Sequence, residues 1–132
     1  MKSTISHLSL NVGDFKKSVE FYSKMMPLLG FKESILGDDY AGWMSGDDSF
    51  WINATHPKYS NVKFHRKQTG INHICFRVGS KKSVEKFAKE FVMANKAAIL
   101  YNTPKAFPEY GKKYYAVFFE DPDRVKIEVG YY

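Results

Sequence analysis

The sequence contains one stretch twice, and no other feature constrains its fold as much. His7-Leu8-Ser9-Leu10-Asn11-Val12-Gly13 precedes Lys16-Lys17-Ser18-Val19-Glu20, and His73-Ile74-Cys75-Phe76-Arg77-Val78-Gly79 precedes Lys81-Lys82-Ser83-Val84-Glu85. The histidines are 66 residues apart and the lysine pairs 65, so one residue is lost between the two halves of the repeat. Further on, the stretch from Tyr40 to Ala54 aligns without gaps on the stretch from Tyr115 to Val129. A period of about half the chain means one supersecondary unit used twice.

The unit can be read from hydrophobic spacing. Leu8, Leu10 and Val12 alternate with His7, Ser9 and Asn11, the pattern of a half-buried strand. Asp14 stands where a helix N-cap belongs, and Phe15, Val19, Tyr22 and Met25 follow at helical spacing until Pro27 and Gly30. Strands are then expected over about 31–36, 40–45 and 49–55, with Asp47-Asp48 turning between the last two. The second copy repeats the order: a strand around His73 to Val78 and a helix capped by Ser80 with Val84, Phe87, Ala88 and Phe91 inward. A strand at about 97–101 and a hairpin of Tyr114–Glu120 and Val125–Tyr131 turning at Asp121-Pro122-Asp123 complete it. Each copy is β-α-β-β-β. Module one covers about 1–55, a turn-rich linker about 56–70 and module two about 71–132, together a single α+β domain.

Bulk properties narrow the class. The chain has 132 residues, 44% of them hydrophobic, which suits a folded domain with a real core. It shows no apolar run of membrane-spanning length and no signal-peptide core, and its single cysteine permits no internal disulfide, so a cytoplasmic location is expected. The formal charge of +6 is spread over separated lysines and arginines rather than set in a nucleic-acid motif. Neither nucleic acid nor membrane is an expected partner.

Parity within the strands places the polar residues. His7, His73 and Glu128 fall on the side opposite the aliphatic residues of their strands, and Asn53 stands in the first copy where the second has Glu128. Two histidines and a carboxylate form a ligand set that leaves coordination positions open on Fe, Mn, Ni, Co or Zn. By the same parity Trp51, Met44, Tyr115, Val117 and Phe119 are expected to wall a pocket, with Tyr110 and Tyr114 offering hydroxyls at its rim. Cys75 shares the parity of His73 and reads as an inert thiol, and His56 and His65 read as linker surface.

These residues carry a family resemblance. His7 through Val12, Phe21-Tyr22, Leu28-Leu29-Gly30-Phe31, Asn72 through Phe76, and Tyr114 through Val129 together resemble the vicinal oxygen chelate superfamily of glyoxalases, extradiol dioxygenases and fosfomycin- and bleomycin-resistance proteins. The resemblance implies that the two modules form a partly open, eight-stranded, barrel-like cup. It implies a divalent metal on His7, His73 and Glu128, and a small oxygen-rich substrate chelated to that metal. It also implies a homodimer. Asn53 departs from the Glu or Gln that glyoxalases carry at the matching position, which weakens a glyoxalase assignment. The expected function is therefore metal-dependent lyase, dioxygenase or transferase chemistry. The alternative is a metal-free small-molecule binder of the antibiotic-sequestering kind.

Overall fold

The structure, a computed structural model, describes residues 1–132 and divides into two compact units, 1–63 and 64–132. Both have the β-α-β-β-β order expected from the repeat.

The first unit runs β1 (His7–Val12), α1 (Phe15–Met25), β2 (Lys32–Leu36), β3 (Tyr40–Ser45) and β4 (Asp48–Ala54), with sheet order β1-β4-β3-β2. β1 lies parallel to β4, and the rest of the sheet is antiparallel. The Asp14 side chain accepts a hydrogen bond from the Lys17 backbone N–H at 3.1 Å and so caps α1. That bond also holds its carboxyl below the usual carboxylate range. A single 3-10 turn extends the helix to Leu29, and Gly30 ends it at φ 84°, in the left-handed region that favours glycine. Tyr22 and Met25 of α1 are buried with Trp43, Phe50 and Ile52 of the sheet. The indole of Trp43 and the ring of Phe50 lie 6.2 and 4.9 Å from Tyr22.

The second unit runs β5 (Ile74–Arg77), α2 (Lys81–Phe87), β6 (Ile99–Ala106), β7 (Tyr115–Glu120) and β8 (Lys126–Tyr131), with sheet order β5-β8-β7-β6. Ser80 caps α2, and the helix continues through π-helical turns over Ala88–Met93. Phe87 and Phe91 pack on Phe119 of β7 at 5.8 and 5.9 Å between ring centroids. The core of this unit therefore lies between α2 and the odd-numbered side of β7.

The two hairpins differ, and this corrects one expectation. Two residues separate Ser45 from its partner Asp48, whereas five separate Glu120 from its partner Lys126. In the longer turn, the Asp121 carboxylate accepts from the backbone N–H groups of Asp123 (2.9 Å) and Val125 (2.8 Å), and Arg124 takes φ 67°. A three-residue difference in turn length is odd, so it reverses which side of β7 matches Glu128. Glu128 pairs across the sheet with Phe118, not with a residue of the Tyr115 parity. Tyr115, Val117 and Phe119 thus do not share the face of Glu128. Tyr115 instead lies beside α2, its ring 4.6 Å from Lys81 Nζ and its hydroxyl donating to Glu85 Oε1 at 3.3 Å.

β6 is also longer than the expected strand and is irregular. Leu100 pairs with Phe118 and Lys105 with Ala116, so the residues between them bulge out of the ladder. Tyr101 and Asn102 take φ 59° and 53° there, and the Thr103-Pro104 bond is cis.

Candidate functional site

The site builds up from Glu128. It lies mid-strand in β8, and the parallel pairing of β5 sets it beside Cys75. Only 2% of it is exposed. A buried carboxylate is costly unless its oxygens find partners, and each has a polar neighbour. The Tyr114 hydroxyl donates to Oε1 at 2.5 Å, and His73 Nε2 lies 3.3 Å from Oε2. Tyr114 is itself held flat against Tyr132 at 4.7 Å and 4°, and Arg77 covers the outer face of Tyr132 at 4.1 Å from its centroid. Desolvation and the hydrogen bond to Glu128 push the Tyr114 phenol above its ordinary range, so it remains a donor.

His73 is oriented from its other side. Its Nδ1 lies 2.9 Å from Asn72 Oδ1, an oxygen that only accepts. Nδ1 is therefore the protonated nitrogen, and in the neutral ring Nε2 presents a lone pair to Glu128. A lone pair facing a carboxylate oxygen at 3.3 Å needs a cation or a proton between them.

Cys75 belongs to the same face. It counts as exposed, yet desolvation around the sulfur, and then the negative Glu128, push its thiol up to about 12. It is no thiolate near neutrality and no activated nucleophile.

The face opens into a cavity of about 530 Å³, bordered by the His73–Glu128 pair and by Tyr101, Phe107, Phe118 and Lys126 among others. Phe118 forms its floor, 6.4 Å from the His73 ring, 5.5 Å from Tyr101 and 5.4 Å from Phe107. The β6 bulge is what brings Tyr101 over that floor. Tyr110 stacks on Phe107 at 5.6 Å and also lines the cavity. The volume lies within the range of small-molecule sites, roughly 300–1,000 Å³.

The other expected site residues lie on the first unit. His7, Trp51, Asn53 and Met44 share one face of its sheet, as the pairings of His7 with Ser49, Gly42 with Trp51, and Met44 with Ser49 require. There His7 Nδ1 is 3.2 Å from Ser6 Oγ, Asn53 donates to Ser9 Oγ at 2.7 Å, and the Trp51 indole donates to Ser49 Oγ at 2.9 Å. His56 and His65 accept from the backbone N–H groups of Lys58 and Lys67 in local turns. Within the second unit, no third His, Cys, Asp or Glu joins His73 and Glu128 in a metal-ligand set.

Sequence reasoning missed Tyr101, Lys105, Phe107, Phe118 and Lys126, all of which line the cavity. Lys126 carried a usable signal, because it stands two residues before Glu128 in one strand and must share its face. Phe118 could be found only by counting the longer turn.

The comparisons with known proteins agree with this architecture. A sequence model of the glyoxalase/bleomycin resistance protein/dioxygenase superfamily matches residues 4–129. The chain is 33% identical over 129 residues to the uncharacterized protein YqjT of Bacillus subtilis, covering 93% of this chain and 94% of that one. It is similar to the crystal structure of a candidate glyoxalase from Bacillus halodurans, with TM-score 0.89, 27% identity, and coverage of 99% and 97% of the two chains. Lactoylglutathione lyase from Agrobacterium tumefaciens shares the fold, with TM-score 0.69 at 19% identity over 98% and 94% of the chains. No helix of the protein is long and apolar enough to cross a membrane. With both β-α-β-β-β units formed and the family match spanning nearly the whole sequence, the chain belongs to the glyoxalase/bleomycin resistance protein/dioxygenase superfamily.

Proposed function

We propose that the protein is a divalent-metal-dependent enzyme acting on a small oxygen-rich molecule bound in the cavity of its second module. The observation that carries this reading is the approach of His73 Nε2 to Glu128 Oε2, with Nδ1 turned to Asn72. Metal-ligating histidines are commonly fixed through their other ring nitrogen, as Asn72 fixes His73 here. The donor types fit a borderline divalent ion such as Fe, Mn, Ni, Co or Zn. His73 and Glu128 would hold it. Bound there, the metal supplies Lewis acidity toward substrate oxygens.

The chain's own residues supply the rest. Tyr114 holds Glu128 in place through Oε1 and leaves Oε2 directed at His73. Phe118 and Phe107, both nearly fully buried, give the cavity an apolar floor. Cys75, with its thiol pushed up to about 12, takes no covalent role.

The aromatic walls support a second reading, a metal-free binding protein in which a proton occupies the space between His73 and Glu128. Elemental analysis of untagged protein separates the two, with wild type compared with His73→Ala and Glu128→Ala. About one metal per chain in the wild type, lost in both variants while circular dichroism stays native, is the expected result. No metal in the wild type after incubation with Fe, Mn, Ni, Co and Zn would leave the binding reading in its place.

A further inference from the structure

The cavity has a charge pattern that the proposed metal pair does not use. Lys126 Nζ lies 5.6 Å from the Tyr101 ring centroid and 5.8 Å from that of Phe118. Lys105 Nζ lies 5.2 Å from the Phe107 centroid. Both ammonium groups thus stand over the aromatic lining rather than against carboxylates. The residue across the sheet from Lys126 is Glu120, but Glu120 is held by Arg66 on one oxygen and by Arg124 Nε at 3.4 Å on the other. Lys126 is therefore left to the cavity. Glu128 shares its face two residues further along β8, about 7 Å away.

We propose that this cavity selects a planar aromatic monocarboxylate, its ring over Phe118 and its carboxylate held by Lys126. Three features converge on that class. Phe118, Phe107 and Tyr101 meet edge to face around one floor, which suits a flat ring more than a branched chain. The ammonium groups of Lys105 and Lys126 are charge-assisted donors for an anion. Finally, the formal side-chain charges of Lys105, Lys126 and Glu128 leave one positive charge, which a monoanion neutralises and a phosphate dianion would exceed. Lys126 lies one row beyond the Glu128–Phe118 pair, which sets an anion on it apart from Glu128, and Lys105, in the Ala116 row on the other side, adds its charge at longer range. The inference rests on reading this cavity as the ligand site, but not on the metal.

The test uses 2-naphthoate, its neutral amide and 2-naphthyl phosphate, titrated calorimetrically into the full chain in the presence of EDTA. Saturable naphthoate binding is expected, at least about tenfold tighter than the amide, as one charge-assisted contact gives. Lys126→Met keeps the apolar stem and should weaken naphthoate by roughly fivefold while leaving the amide unchanged, and Lys105→Met should weaken it by less. Lys126→Arg should retain the preference. Equal affinity for acid and amide, no saturable binding, or phosphate bound tighter than carboxylate would each overturn the inference. The metal content of the same lysine variants, measured in parallel without EDTA, reads the metal proposal separately, because neither lysine is among the proposed ligands.

Discussion

Replacing Tyr114 with Phe removes one atom that the structure gives a single task. The hydroxyl donates to Oε1 of a carboxylate that is 2% exposed. The rest of the side chain stays: the ring keeps its stack on Tyr132 and its edge contacts with Phe107 and Tyr110. The loss therefore reports the hydrogen bond, not the packing. A bond to a charged acceptor contributes about 1.5–3 kcal/mol. The cavity beside Glu128 can admit water as a partial substitute, so we expect about 2 kcal/mol, at the lower half of that range. For a domain of this size that corresponds to a fall in Tm of roughly 6–10 °C. Urea unfolding followed by circular dichroism in EDTA measures it. In a Glu128→Gln background the acceptor is neutral, and the cost of Tyr114→Phe should shrink to about 1 kcal/mol. A loss below about 0.5 kcal/mol, or the same loss in both backgrounds, would show that Tyr114 does not support an ionised Glu128.

Three further outcomes test other parts of the structure. Gly42→Ala places a Cβ 2.4 Å from the Trp51 ring, so the indole must leave its place on the first sheet. A cost of about 1–3 kcal/mol with a shifted tryptophan emission spectrum is expected, and an unchanged spectrum would count against that placement. Cys75 should alkylate with iodoacetamide at pH 8 at least about tenfold more slowly than in urea, because its folded thiol titrates at about 12. The linkage has the same sign. The contribution of the neutral thiol is full below the unfolded value of about 8.5 and is lost as pH rises toward the folded one, so Cys75→Ser should flatten the alkaline decline in stability.

Much of this was legible from residue spacing because both signals involved are local. Alternation in β1 and β5 sets His7 and His73 on the polar side of their strands whatever the sheet does next. The repeat forces the two units to share an order of elements. What spacing could not carry was registry between strands. The gapless match of Tyr40–Ala54 on Tyr115–Val129 aligns β8 well enough to put Glu128 on the site face. It misplaces β7, because the turn between Glu120 and Lys126 is three residues longer than its counterpart. Side-chain period two turns that odd number into a change of face, so Phe118 was missed and Phe119 expected in its place. Tyr101 and Lys105 were missed for a related reason. A strand over about 97–101 ends on Tyr101 and leaves Lys105 outside the sheet, whereas the bulged β6 runs on to Ala106 and carries both to the cavity.

Registry also explains how one duplicated unit came to hold different chemistry in its two copies. Ser9 pairs with Trp51 in the first sheet, and Cys75, its equivalent by the histidine repeat, pairs with Glu128 in the second. Glu128 therefore stands where Trp51 stands, not where Asn53 does. Their cross-strand partners are Gly42 and Phe118. In the first unit the aromatic ring is on the inner strand of the pair and lies over a glycine, so the face is filled by its own indole. In the second the ring has moved to the neighbouring strand, and the position beside it is a carboxylate. A carboxylate at that buried point needs Tyr114 and His73, and the space that an indole would fill is left to the cavity. The exchange of Trp-Gly for Glu-Phe at one cross-strand pair is thus enough to turn a self-filled sheet face into a polar site with an aromatic floor. The β6 bulge then adds the Tyr101 wall and one cation, Lys105, to the Lys126 already on β8. On the proposed function, substitutions along β6, β7 and β8 therefore reach the ligand site directly, through Lys105, Phe118 and Glu128.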